Sequence, residues 1–97
     1  MGNIKDNIKE LPERIRKNGF SYILLTRAQK KAVYKQTLYN IQVGYEVFKI
    51  RLRGAHYSPF LSKYLDAAER FPGNSDFGYT AWAFQNYEAA LNKYQEL

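Results

Sequence analysis

Gly44-Tyr45-Glu46-Val47-Phe48-Lys49-Ile50-Arg51-Leu52-Arg53 is the stretch whose residue types and spacing come nearest to a chemistry. Read as one extended strand, it turns Phe48, Ile50 and Leu52 to one face and Lys49, Arg51 and Arg53 to the other, because strand side chains alternate. Slipping it by one residue would drive the cations into a core, at several kcal/mol each. Tyr45 shares the parity of the cations, and Tyr34, Lys35 and Tyr39 fall on the preceding strand according to register. Cations that track phosphates, interleaved with rings on which bases stack, are what a sheet that binds single-stranded nucleic acid needs. The plainer alternative is that the cations solvate the sheet and discourage edge pairing, while the tyrosines are amphipathic wall.

Other residue groups carry less. His56 is the only histidine and, with no cysteine in the chain, has no companion for a metal site. Asp66 and Glu69 lie three apart on an expected helix, where Lys63 and Arg70 offer ordinary surface ion pairs rather than acid–base work. Glycines at 44, 54, 73 and 78 stand singly and form no phosphate-cradling loop. The expectation is a protein without catalytic residues, metal or cofactor.

The elements that must position these residues are read from periodicity. Ile4, Ile8, Leu11 and Ile15 recur at helical spacing, with Asn3 as cap, Pro12 as an interruption and Asn18-Gly19 as a left-handed stop, which predicts an N-terminal helix within 1–19. Residues 20–53 read as an antiparallel meander: Phe20–Thr26, Ala32–Leu38 and Gly44–Arg53, rich in aromatic and β-branched side chains. Ser58-Pro59 opens a short helix to Arg70 inside a long connection, 54–77. Residues 78–97 then read as a strand with Trp82 and Phe84 inward, followed by a helix capped by Asn86 with Tyr87, Ala90, Leu91 and Tyr94 on one stripe; one long helix from Ser75 is the competing reading. The expected class is α+β, a single domain whose three- to four-stranded sheet carries the terminal helices on one face.

Composition sets the bounds. The chain has 97 residues, 45% hydrophobic and 25% charged, which suits one folded domain rather than a disordered chain. Its formal charge of +6 comes mostly from the first half, where Glu46 is the only acid between Arg14 and Arg53. A pI near 9.6 with clustered cations suits nucleic acid or an acidic partner. No cysteine, no apolar run of membrane length and no apolar leader stretch after Met1 give the cytoplasm as the expected location.

The string Gly44–Arg51, with Glu69-Arg70-Phe71-Pro72-Gly73-Asn74, Asp76-Phe77-Gly78, Ala81-Trp82 and Glu88-Ala89-Ala90, resembles small uncharacterised proteins of bacteriophages and mobile elements of gut Bacteroidales, from about Phe20 to Leu97. The resemblance implies a setting, a phage or host accessory protein in bacterial cytoplasm, and no activity. The ending, a strand followed by a helix lying back on the sheet, is also similar to the DNA-binding domain named for Trp-Gly-Arg, but Trp82 is followed by Ala83 and Phe84, so that function is not carried over. A phage setting implies a second class of function, a small module that binds a host protein and modulates it. Tyr57, Phe60, Phe71 and Phe77 are its expected anchors.

Overall fold

Asn18 and Gly19 stand at φ 55° and 83°. Positive φ at both central residues is what a two-residue hairpin turn needs, because its twist then matches that of antiparallel strands. Lys17 therefore lies opposite Phe20, and Arg14–Lys17 runs back along the next strand. The structure, a computed structural model, describes residues 8–97.

Among the described residues the strands are, in chain order, β1 (Arg14–Lys17), β2 (Phe20–Arg27), β3 (Lys31–Leu38), β4 (Ile41–Lys49), β5 (Arg51–Arg53), β6 (His56–Ser58), β7 (Lys63–Leu65), β8 (Ala68–Arg70) and β9 (Ala81–Phe84), and the one α-helix, α1, is Tyr87–Glu96. The fold is mostly β, built from antiparallel sheets, and the expected α+β arrangement with an N-terminal helix is incorrect. Pro12 removes a helical hydrogen bond, and the alternation Arg14-Ile15-Arg16-Lys17 ahead of Asn-Gly is a strand signal that outweighs the three-four spacing of Ile8, Leu11 and Ile15. The expected cap, Asn3, and the first stripe residue, Ile4, lie outside the described residues.

Two compact units form. The larger comprises Pro12–Ile50 and Pro72–Leu97. It is a five-stranded antiparallel sheet in the order β1-β2-β3-β4-β9, with α1 against β3, β4 and β9. The helix side of the core holds Val33, Tyr45, Val47 and Ala90, closed by Phe84, Tyr94 and Leu97. Registers of Val33 opposite Val47 and Tyr45 opposite Phe84 bring these residues to one face. On the other face, Tyr34 stacks on Phe48 at 5.7 Å between centroids, and Ala81 is fully buried opposite Phe48. Gly44 must be glycine, because a Cβ there would meet the Phe84 carbonyl oxygen at 2.7 Å. Asn86 caps α1 as expected: its side chain accepts the Ala89 N–H. Trp82 and Phe84 do face the helix, so the aromatic run before α1 is chiefly wall rather than platform.

The smaller unit contains the described residues to Leu11 and Arg51–Phe71. It is a ribbon: β5 pairs with β8 and β6 with β7. The helix expected from Ser58 to Arg70 is absent. Its capping bond does form, with Ser58 Oγ accepting the Leu61 N–H at 3.3 Å, but Ser62 turns to φ 52° and the chain reverses after one turn. The single strand expected over Gly44–Arg53 is also incorrect: β4 ends at Lys49, whose N–H donates to Thr80, and Ile50 donates to Lys30 before β5 takes a new partner. Leu52, expected inward, is exposed.

Tyr39-Asn40 is the second two-residue turn, at φ 50° and 64°. Tyr39 is an exposed aromatic in the left-handed region, which costs an ordinary residue about 1–2 kcal/mol. Replacing Tyr39 by Asn is expected to raise stability by about 0.5–1 kcal/mol, and Tyr39→Val to lower it, both read from thermal unfolding.

Candidate nucleic-acid interface

The ribbon is where the structure gathers exposed cations. Arg51 lies directly opposite Arg70, and Arg53, two residues on, opposite Ala68. Since side chains two apart share a face and direct cross-strand partners do too, Arg51, Arg53 and Arg70 form one cluster. All three are exposed. Stepping residue by residue from Arg51 opposite Arg70 arrives at His56 opposite Leu65 without slip, so both halves of the ribbon share one register. Tyr57 and Tyr64, next in the same alternation phase as the arginines, face each other edge to face at 5.4 Å between centroids.

Like charges opposite one another destabilise a two-stranded pair. What steadies the ribbon is a strip of chain beside β8. Lys9 pairs in parallel with Ala68, donating to the Ala67 carbonyl and accepting from Glu69, while a Glu69 carboxylate oxygen accepts the Leu11 N–H at 2.9 Å. Glu69 is thereby a structural anchor. Asp66 is exposed on the ribbon, in the opposite alternation phase to Glu69, so the two acids form no catalytic pair.

The other expected site residues separate. Tyr34 is fully buried; its hydroxyl donates to the Pro12 carbonyl at 2.7 Å. Tyr45 lies under α1, against Tyr87 at 5.3 Å between centroids, and its hydroxyl accepts from Gln42. Neither ring is open to a base. Registers place Lys35 opposite Tyr45 and Lys49 opposite Lys31, both on the helix side of the sheet, and Lys31 donates to the Tyr94 carbonyl at the helix C-terminus. Arg51 and Arg53 alone of that set stand together, and in the other unit. The single basic face of Lys49, Arg51 and Arg53 is therefore replaced by Arg51, Arg53 and Arg70. Arg70 was missed; the signal for it is the Arg-Leu-Arg and Lys-Tyr-Leu alternation on either side of Ser58-Pro59.

Of the expected partner anchors, Tyr57 and Phe60 are exposed on the ribbon, while Phe71 and Phe77 are half-buried. His56 is exposed, with Nδ1 3.2 Å from the Gly54 carbonyl oxygen. Among the described residues no group of three His, Cys, Asp or Glu side chains could hold a metal ion. Among those residues no helix is long and apolar enough to cross a membrane. A second basic patch, smaller in charge, lines a groove of about 350 Å³ at the edge of the main sheet, with Arg14, Arg16, Ile23 and Thr37.

Glu46, the one acid between Arg14 and Arg53, lies in the core of the larger unit at 7% exposure. Tyr22 hydrogen-bonds its carboxylate and accepts in turn from Gln36, while Oε1 finds no hydrogen-bond partner. Burial raises its pKa above the ordinary carboxylate value, and Lys17 and the Tyr22 hydroxyl only partly offset that. No family model, curated protein or solved structure matches this chain.

A carboxyl whose pKa is raised in the fold contributes stability that is present below the unfolded pKa, near 4.5, and lost as pH rises through the folded value. Glu46→Gln, which stays neutral, is expected to be more stable than the parent at pH 7 and close to it at pH 4. Denaturant unfolding at the two pH values checks this; an equal or larger deficit at pH 7 would show that the Lys17 attraction outweighs burial.

Proposed function

We propose that this is a small non-catalytic nucleic-acid-binding protein, acting in bacterial cytoplasm as a phage or host accessory factor, with the β5–β8 ribbon as its contact surface. The observation that carries the reading is Arg51 opposite Arg70, with Arg53 on the same face. Three exposed guanidinium groups on one face of a ribbon suit a phosphate backbone, which engages guanidinium through paired N–H donors. Phosphate contacts of this kind give affinity and orientation without reading sequence.

A host-protein partner is the second reading. It rests on exposed apolar side chains of the same ribbon, Leu61 and Tyr64, with Leu52 exposed on the face opposite the cations. Salt separates the two, because phosphate neutralisation releases counterions and an apolar anchor does not.

Changing Arg51, Arg53 and Arg70 together to Gln is expected to leave the circular dichroism spectrum unaltered and to weaken DNA binding strongly at low salt. On duplex DNA the slope of log affinity against log salt should flatten by about 2–3, at ~0.9 per phosphate contact. Fluorescence anisotropy with a labelled oligonucleotide measures both. Absence of binding by the parent protein at ~50 mM salt, where phosphate contacts are strongest, ends the nucleic-acid reading.

A further inference from the structure

The ribbon ends in the connection 59–62, Pro59-Phe60-Leu61-Ser62, between β6 and β7. Phe60 is 98% exposed, so both faces of its ring meet water. The turn that presents it is built rather than loose: Ser58 Oγ accepts the Leu61 N–H, Pro59 restricts its own φ, and Ser62 closes the reversal at φ 52°. Tyr57 and Tyr64 just behind it are exposed and turned edge to face on each other.

Resting on the ribbon as a nucleic-acid contact, we propose that its substrate is duplex DNA and that Phe60 is a wedge that enters between two base pairs. Three features favour a duplex over a single strand. A two-stranded ribbon fits the major groove of duplex DNA as a unit. Arg51 and Arg70 stand on adjacent strands, which suits phosphates on the two sides of a groove better than one thread. Phe and Pro at a protruding tip are the side chains that unstack a base step and kink the helix, while cations hold the backbone on either side. From Arg53 to Ser58, before the turn that carries Phe60, the chain advances five residues, about 17 Å at ~3.3 Å each, so the wedge falls about five base steps from the arginine-held phosphates. Insertion favours steps that unstack readily, such as TA, and sites already weakened by a mismatch.

The test uses the full chain and a duplex carrying 2-aminopurine beside a central TA step, with donor and acceptor dyes at its ends. The parent protein is expected to raise 2-aminopurine fluorescence, bring the ends together and bind a centrally mismatched duplex about tenfold more tightly than the intact one. Phe60→Ala should bind the intact duplex with an unchanged salt slope, yet lose the fluorescence rise, the bend and the mismatch preference; Phe60→Trp should restore them. Both variants keep the fold, since the ring touches nothing that a smaller side chain would unsettle, and circular dichroism checks it. If Phe60→Ala binds, bends and unstacks like the parent, the wedge is wrong while the arginine contact stands. If the parent prefers single strands, the duplex assignment is wrong. If it binds no DNA and Phe60 instead governs binding to anionic vesicles or to one host protein, both the wedge and the nucleic-acid reading fall.

Discussion

Five consecutive residues of β4, Gly44, Tyr45, Glu46, Val47 and Phe48, are buried, and the larger unit depends on that strand being covered on both faces. Alternation sends Tyr45 and Val47 to α1 and Phe48 to Tyr34, so one strand belongs to both layers of the core. Each large side chain so buried contributes about 1.5–3 kcal/mol, against a net stability for small domains of only about 5–15 kcal/mol. A one-residue slip of β4 would exchange its two faces at once and bring Gly44 out of the one place where the Phe84 carbonyl needs it. Glu46 occupies the only polar position in this run, and its partly satisfied carboxylate is the electrostatic cost of covering both faces.

The same constraint explains what could be read from the sequence. Phe20–Arg27, Lys31–Leu38, Ala81–Phe84 and the helix after Asn86 each announce themselves by local period and cap. Asn18-Gly19 was ambiguous because a left-handed pair ends a helix and joins a hairpin equally well; only the pairing of β1 with β2, a tertiary fact, decides. Leu61, Leu65, Ala67, Ala68 and Glu69 are good helix formers, and their propensity is overruled by pairing with 51–58. The candidate site was legible to the extent that Arg51 and Arg53 are exposed on one face. Tyr34 and Tyr45 were not separable from surface tyrosines by sequence, because the difference lies in whether the hydroxyl finds a buried partner, as it does at the Pro12 carbonyl and at Gln42.

The cations of the two units differ in what engages them. In the larger unit, Lys17 donates to the Pro72 carbonyl and lies near Glu46, Lys31 donates to the Tyr94 carbonyl and sits 4.4 Å from that ring's centroid, and Lys93 lies 4.2 Å from the centroid of Trp82. These are cations that complete a core: they satisfy carbonyls, a helix C-terminus and aromatic faces. Lys17 and Lys31, two of the cations that suggested a binding face along the middle of the sequence, are used in this way, so net charge alone does not locate the surface.

On the ribbon the balance of forces runs the other way. A two-stranded pair is marginal in water, and this one carries guanidinium opposite guanidinium and a fully exposed phenylalanine at its turn. The strip at Lys9 and the Glu69–Leu11 bond add a partial third strand only at the β8 end, so the far half relies on the Tyr57–Tyr64 contact. Where local choices conflict with stability in a fold whose remainder is consistent, the conflict marks a place where another requirement acts. A ligand that neutralises the arginines and covers the ring would remove both unfavourable terms together. On the proposed reading, the feature that weakens the isolated ribbon is the one that would couple its order to binding.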